Sequence, residues 1–247
     1  MTMTSILKQF PPISLDEMQG IRLMNRTDTK FVTTVDKLLA LLQMAGRDYR
    51  IQEIDGLRNM SYSTVYLDSQ DYTFYNAHHD GHAGRQKVRI RSYVDSGLSF
   101  LEVKTKDNHG KTHKCRTTVE AAEDVATNEF LQRNVSVAPA LLERKIENSF
   151  HRITLVNNDK TERLTIDTGL SFYNITTGNY CSLDHLAIIE LKRDGLKPSP
   201  VLDMLRELRI QQCGFSKYCV GEALTNPSLR TNRMKPRLRQ LAKLSCL

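Results

Sequence analysis

The stretch from Gln86 to Lys106 constrains the fold of this chain more than any other. It consists of two alternating runs, Gln86-Lys87-Val88-Arg89-Ile90-Arg91-Ser92-Tyr93-Val94 and Leu98-Ser99-Phe100-Leu101-Glu102-Val103-Lys104-Thr105-Lys106, joined by Asp95-Ser96-Gly97. Side chains alternate across a strand with a period of two. Lys87, Arg89, Arg91 and Tyr93 therefore share one face and Val88, Ile90 and Val94 the other. In the second run Glu102, Lys104 and Lys106 oppose Leu101, Val103 and Thr105. Gly97 suits the turn between them, and the pair reads as a hairpin. Pairing brings Arg89, Arg91, Glu102 and Lys104 onto one surface with more cations than anions. Like charges opposite each other destabilise a strand pair, by roughly 4 kcal/mol at about 4 Å and an effective dielectric near 20. A surface that keeps them together is expected to meet a dense anion.

The rest of the chain repeats this alternation. Lys111-Thr112-His113-Lys114-Cys115-Arg116-Thr117 returns after a turn at Asn108-His109-Gly110, with Lys114 and Arg116 on one face, so three consecutive strands make a meander with a cationic side. Earlier, Asn25 to Thr33 reads as a strand carrying Asp28, Lys30 and Val32 on one face, and Ser61 to Asp68 as another; Ile51 to Ile54 is a short strand. Later strands are His151 to Val156, Glu162 to Thr168 with Arg163, Thr165 and Asp167 aligned, and Ala187 to Arg193 with Glu190 and Lys192 aligned; Leu170 to Tyr173 extends the sheet.

Helices are expected from Leu15 towards Leu23, behind a Ser14–Glu17 capping box, from Leu38 to Met44, from Tyr72 to His82, and from Val201 to Leu208. Two more are expected, from Glu120 to Arg133 and in a patch opened by Pro139 that includes Leu141, Leu142 and Lys145. His78 and His82 have the i, i+4 spacing of a helical metal pair, but without a third ligand they read as solvent-exposed. After Glu222 no acidic residue remains, while Arg230, Arg233, Lys235, Arg237, Arg239 and Lys243 accumulate; this tail is solvated or, through Leu238, Leu241 and Leu244, a docked helix.

The net charge of +7 favours an anionic partner without choosing among nucleic acid, phosphate chains and acidic lipid. Five cysteines, Cys115, Cys181, Cys213, Cys219 and Cys246, lack a Cys-x-x-Cys pair and read as reduced thiols. No apolar leader is seen, and no run approaches the roughly 20 apolar residues that span a bilayer. A cytoplasmic protein without a transmembrane segment is expected.

A sheet with charge on one side and aliphatic residues under helices on the other can close around a polar lumen, and about eight strands leave room for a slim ligand. A linear chain of phosphates would fit and a nucleic-acid duplex would not. The segments Arg26-Thr27-Asp28-Thr29-Lys30-Phe31, Lys87-Val88-Arg89-Ile90-Arg91, Leu101-Glu102-Val103-Lys104-Thr105-Lys106, Leu164-Thr165-Ile166-Asp167, Ile189-Glu190-Leu191-Lys192 and Phe215-Ser216-Lys217-Tyr218 together resemble the VTC domain. That is the polyphosphate-polymerase domain of the vacuolar transporter chaperone complex, one of the triphosphate tunnel metalloenzymes and a relative of the CYTH domain. The resemblance runs from Ser14 to Leu224, leaving 225–247 as a basic C-terminal tail.

The resemblance implies an α+β fold: a closed, antiparallel, eight-stranded β tunnel (barrel) with a basic lumen and helices packed outside. It implies ATP and inorganic polyphosphate as ligands and a divalent cofactor, Mn²⁺ or Mg²⁺. Phosphate-holding positions would be Lys30, Arg89, Arg91, Lys104, Lys114, Arg116, Arg152, Arg163 and Lys217, with Lys192 beside them. Arg89, Arg91, Lys104 and Lys217 would serve catalysis. Glu190 would hold the metal, with Asp167 and Glu102 as second candidates. Where the family often has a second lysine, two residues before Lys217, this chain has Phe215. The implied activity is transfer of the ATP γ-phosphate onto a growing polyphosphate chain. Two alternatives stay open: hydrolysis of tripolyphosphate or a nucleoside triphosphate, with Glu102 as base, and a non-catalytic module binding polyphosphate or nucleic acid.

Overall fold

A computed structural model describes residues 2–19, 26–108, 111–122, 124–195 and 197–245. In chain order the first elements are α1 (Met3–Leu7), β1 (Pro12–Ile13), α2 (Leu15–Gln19), β2 (Arg26–Thr34), α3 (Val35–Ala45), β3 (Tyr49–Gln52), β4 (Met60–Ser69), α4 (Thr73–Asp80), β5 (Gln86–Tyr93), β6 (Leu98–Lys106) and β7 (Thr112–Thr118). There follow α5 (Glu129–Asn134), β8 (Leu142–Asn157), β9 (Glu162–Asn174), β10 (Tyr180–Leu183), β11 (Leu186–Asp194), α6 (Pro200–Glu207), α7 (Lys217–Thr225) and α8 (Lys235–Ser245). The capping box forms, Ser14 N–H donating to Glu17 Oε2 at 2.9 Å and Glu17 N–H to Ser14 Oγ at 3.2 Å. Asn25, the rest of the expected first helix, His109, Gly110 and Cys246 lie outside the described residues.

The strands form one mostly antiparallel sheet in the order β2-β11-β9-β8-β4-β5-β6-β7, with β1, β3 and β10 attached at its side. The expected closed eight-stranded barrel is corrected on two points. The described sheet has eleven strands, and hydrogen bonds do not close it, because β2 and β7 end the order. The free edge of β2 is occupied by the chain itself: Cys213 N–H donates to the Lys30 carbonyl at 2.8 Å, and Phe31 bridges Gln212. The sheet nevertheless curls. Lys104 on β6 lies in the field of Glu190 and Lys192 on β11, five strands away in the order, and Lys87 on β5 lies in that of Lys30 on β2.

Helices cover the convex face. Leu38, Leu41 and Leu42 of α3 and Val201 and Leu205 of α6 bury Phe31, Ile153, Leu155, Leu164, Ile166, Ile189 and Leu191. Phe74 of α4 and Leu131 of α5 bury Val88, Ile90, Leu101 and Val103. Two helix expectations are corrected. The Glu120–Arg133 helix shrinks to α5, because Asn128 caps it late, accepting from Leu131 N–H at 3.2 Å, while Asp124 draws Ala126 N–H into a turn at 3.0 Å. The patch after Pro139 is a single 3-10 turn, Pro139–Leu141, after which Leu142 and Lys145 enter β8. The long partner β4, paired from Met60 to Ser69, outweighs local helical preference there.

The concave face changes character at one residue. Along β9, Arg163, Thr165 and Asp167 point inward, and then Leu170 and Phe172 do. Gly169, at φ +59°, supplies the extra residue of a bulge where the register with β8 shifts between Ser149 and His151. An added residue reverses the alternation. Beyond it Leu170, Phe172, Ile146 and Phe150 receive Tyr218, Cys219 and Val220 of α7, which fills that end of the concavity with apolar side chains. Gly221 permits this approach, since a Cβ there would stand 2.5 Å from Phe172 and 2.8 Å from Ile146. Gly221→Ala is therefore expected to lower stability by about 1–3 kcal/mol through overpacking, measured by chemical denaturation; an unchanged midpoint would mean that α7 does not seat there as described.

Candidate functional site

The strand alternation delivers the charged residues to the concave face, and three buried or largely buried carboxylates organise them. Glu102 is fully buried on β6, where it opposes Arg89 on β5 and Arg116 on β7. Arg89 grips one of its oxygens through Nε at 2.8 Å and Nη2 at 2.6 Å, and the Lys114 ammonium holds the other. Asp167 on β9 accepts a fork from Arg152 at 2.6 and 2.8 Å and is also paired with Lys217 from the first turn of α7. Glu190 on β11 sits between Lys30 at 2.6 Å and Lys192 at 3.1 Å. Each carboxylate is shared by two cations. Burial works against their charge, but the neighbouring guanidinium and ammonium groups win. Glu102 is lowered to about 2, and Asp167 and Glu190 lie well below the usual carboxylate range.

The remaining cations are not compensated in this way. Lys87 and Lys104 face each other directly across β5 and β6, and Lys104 in turn faces Lys114 across β6 and β7. Lys104 makes no hydrogen bond or ion pair with any described residue, and burial together with Arg89 and Lys87 lowers it to about 7. Among the described residues Lys87 donates only to Ser216 Oγ, at 3.1 Å, and it is lowered to about 8 chiefly by burial. Arg91 is 7% exposed, its Nε finds no acceptor, and burial with Arg89 and Arg152 nearby lowers it to about 10. Aromatic rings line the intervals: Tyr62 under Arg91 and Arg152 at 5.8 and 5.2 Å, Phe150 under Lys217 at 4.3 Å, and Phe100 under Arg116 at 4.6 Å.

All the positions expected from the sequence lie on this face. Lys30, Arg89, Arg91, Lys104, Arg152, Lys192 and Lys217 converge with the three carboxylates. Arg163 lies opposite Lys192 in the ladder. Lys114 and Arg116 stand on the edge strand β7 and are more exposed. Lys87, Ser216 and Tyr62 were not among the expected site residues. Lys87 was visible in the alternation that marked Arg89, whereas Ser216 reaches the face only through the docking of α7. Phe215 is buried in the apolar plug. His82 is exposed as expected, but His78 is half-buried and lowered to about 3 by burial and by Lys87, Arg85 and Arg237. The tail docks as α8, with Leu241 buried.

Among the described residues no group of three or more His, Cys, Asp or Glu side chains could hold a metal ion. What the chain offers is single carboxylates. That fits a divalent cation sharing one carboxylate with ligand phosphate oxygens and water, and does not fit a cage made by protein alone. No helix among the described residues is long and apolar enough to cross a membrane.

An enclosed face with fixed cations in excess of carboxylates defines a protein that handles a phosphate-rich anion. The VTC-domain family model matches residues 25–226, and the chain belongs to that family of tunnel-fold, phosphate-handling proteins. None of the curated proteins compared with it matches its sequence significantly. Solved structures similar to it include a putative adenylyl cyclase from Hippeastrum described as having a dominant triphosphatase activity, at 13% identity and a TM-score of 0.46, covering 83% of this chain and 98% of that one. Others are a putative adenylate cyclase from Vibrio parahaemolyticus, at 12% identity, TM-score 0.45 and coverage of 81% and 99%, and the PH1819 protein from Pyrococcus horikoshii, at 13% identity, TM-score 0.44 and coverage of 80% and 98%.

Two outcomes follow for the free protein. The carboxylates with depressed values stabilise the fold above their unfolded range near 4, and that contribution is lost as pH falls from about 4 through about 2; acid titration monitored by near-ultraviolet circular dichroism should show this, and a midpoint above pH 5 would contradict it. Lys104 has the opposite effect. Its ammonium is disfavoured in the fold, so Lys104→Met should raise the melting temperature near pH 7, a gain of about 1 kcal/mol giving roughly 2–4 °C. A fall in melting temperature would show that Lys104 is paired with an anion in the free protein.

Proposed function

We propose that the chain is a polyphosphate polymerase that transfers the γ-phosphate of ATP onto the end of a growing phosphate chain. The observation that carries this reading is the group Lys87, Arg91 and Lys104: enclosed cations without carboxylate partners, set beside carboxylates that are already neutralised. An incoming polyanion offsets their repulsion, and a linear one fits a face bounded by β5 and β6 on one side and β2 and β11 on the other.

Phosphoryl transfer asks chiefly for alignment and charge neutralisation. In this reading the terminal oxygen of the chain attacks the γ-phosphorus in line, the bond to the β,γ-bridging oxygen breaks, and ADP leaves with that electron pair. Arg91 and Lys104 neutralise oxygens of the transferred group. Arg89, Arg152 and Lys217, fixed by Glu102 and Asp167, hold the flanking phosphates with one side of each charge. Mn²⁺ or Mg²⁺, when bound, would neutralise phosphate oxygens and assist the leaving group, with Glu190 the carboxylate that would hold it. No base is needed, since a phosphate nucleophile is already ionised. This favours polymerisation over hydrolysis. Glu102, the candidate base for water, has both oxygens engaged and a value lowered to about 2, so it is a poor proton acceptor.

Incubation with ATP and Mn²⁺ should yield a ladder of long phosphate chains and equimolar ADP. Orthophosphate alone would indicate a triphosphatase, and unchanged ATP a binding module. Arg91→Met should lower turnover by about 100-fold or more, in line with removal of one transition-state donor, while leaving the protein folded; turnover at the wild-type rate would count against the concave face as the site.

A further inference from the structure

Lys87 and Lys104 differ from the carboxylate-bound cations of the concave face. Every lysine or arginine bound to Glu102, Asp167 or Glu190 has one direction of its charge already taken. Lys87 and Lys104 have not. They stand directly opposite each other in the β5–β6 ladder, both are half-buried, and the one hydrogen bond that either makes with a described residue is from Lys87 to the neutral hydroxyl of Ser216. Two ammoniums at a cross-strand position, with no carboxylate partner, suit a single compact group carrying two negative charges. An internal phosphate of a chain carries one charge, whereas a terminal phosphate carries up to two near neutral pH.

We propose that Lys87 and Lys104, with the Ser216 hydroxyl beside them, form a subsite for the doubly charged terminal phosphate of a linear phosphate chain, so that the protein recognises chain ends rather than chain interiors. The inference rests on the reading of the concave face as a polyphosphate site, and it adds Lys87 and Ser216 to the residues that touch the ligand. The subsite has a defined place. Lys87 lies at the start of β5, next to the residues that lead into α7, and the Lys30–Glu190–Lys192 triplet faces it from the other wall. A chain end held there lies beside Arg89 and Arg91, which follow Lys87 at alternate positions on the same strand face, Arg91 being the cation assigned to the transferred group.

The test compares linear tripolyphosphate, which has two terminal groups, with cyclic trimetaphosphate, which has none. Both are titrated calorimetrically into the purified chain at pH 7, at fixed salt and without divalent metal. Wild type should bind the linear anion at least about tenfold more tightly than the cyclic one. Lys87→Met and Lys104→Met should each weaken the linear anion by about 10-fold or more, the scale of one charge-assisted hydrogen bond, with little effect on the cyclic one. Lys87→Arg, which keeps the charge, should restore most of the loss. Circular dichroism and melting curves establish that the variants fold.

Equal weakening of both anions by Lys87→Met would reduce Lys87 to one cation in a general field and overturn the subsite. So would a linear preference that survives both substitutions, or failure of wild type to bind either anion. The outcome is separable from the polymerase reading. A lysine-dependent preference for chain ends without any ATP-derived ladder leaves the subsite standing and removes the polymerase. A ladder with no such preference does the reverse.

Discussion

Repulsion among cations brought together on the inside of a curled sheet is the constraint on which the rest of the structure depends. A solvated sheet face would let water screen these charges. Here β5 and β6 are folded over towards β2 and β11, and the charges act on one another across the concavity. The chain resolves part of the conflict with Glu102, Asp167 and Glu190, each placed between two cations. Such triplets do more than reduce net charge. A bidentate arginine on a buried carboxylate is fixed in orientation, so the triplets form a rigid frame. Removing one partner leaves a buried charge exposed to its neighbours at a cost of about 3–5 kcal/mol. The frame is therefore structural as well as electrostatic.

The end of the concavity that carries no charge is as important as the end that does. The Gly169 bulge reverses the inward alternation of β9, so one strand supplies Asp167 to the charged half and Leu170 and Phe172 to the apolar half. The apolar half seats α7, and α7 returns Lys217 and Ser216 to the charged half. Buried polar contacts anchor that helix. Asp68 accepts from the backbone of Ser69, Phe74 and Tyr75 and from the Tyr218 hydroxyl at 2.5 Å. Glu222 accepts from Asn174 at 2.8 Å, and burial beside Asp68 pushes it up to about 7. Packing at one end thus fixes the charge geometry at the other.

Most of the charged face was legible in the sequence because strand alternation is strict. Residues two apart on a strand share a face whatever the tertiary fold, so Arg89 with Arg91, Glu102 with Lys104 and Glu190 with Lys192 could be grouped from sequence alone. What could not be read was anything set by contacts between distant segments. The occupation of the β2 edge by Gln212 and Cys213, which prevents closure by hydrogen bonds, has no local signature. The same holds for the conversion of 142–157 into one long strand against β4. Gly169 was the one readable sign of the bulge, since an isolated glycine inside a strand pattern often marks one. The pairing of each carboxylate with particular cations also escaped the sequence, because Asp167 meets Lys217 only after α7 has docked.

Those pairings divide the cations by chemistry. Arg89, Arg152, Lys114, Lys217, Lys30 and Lys192 are each paired with a carboxylate. Lys87, Arg91 and Lys104 are held at values lowered by burial and by neighbouring cations, Arg89 in every case, and a bound polyanion would raise all three. A ligand is thus repaid at the positions where the free protein is least comfortable, and binding draws on destabilisation stored in the fold. The same division bears on which nucleophile can react. Every carboxylate near these cations is engaged and acidic, so water finds no base among them, whereas a phosphate chain end brings its own negative charge. In the proposed reaction this arrangement leaves the carboxylates to orient cations and hands the nucleophile's role to the phosphate chain itself.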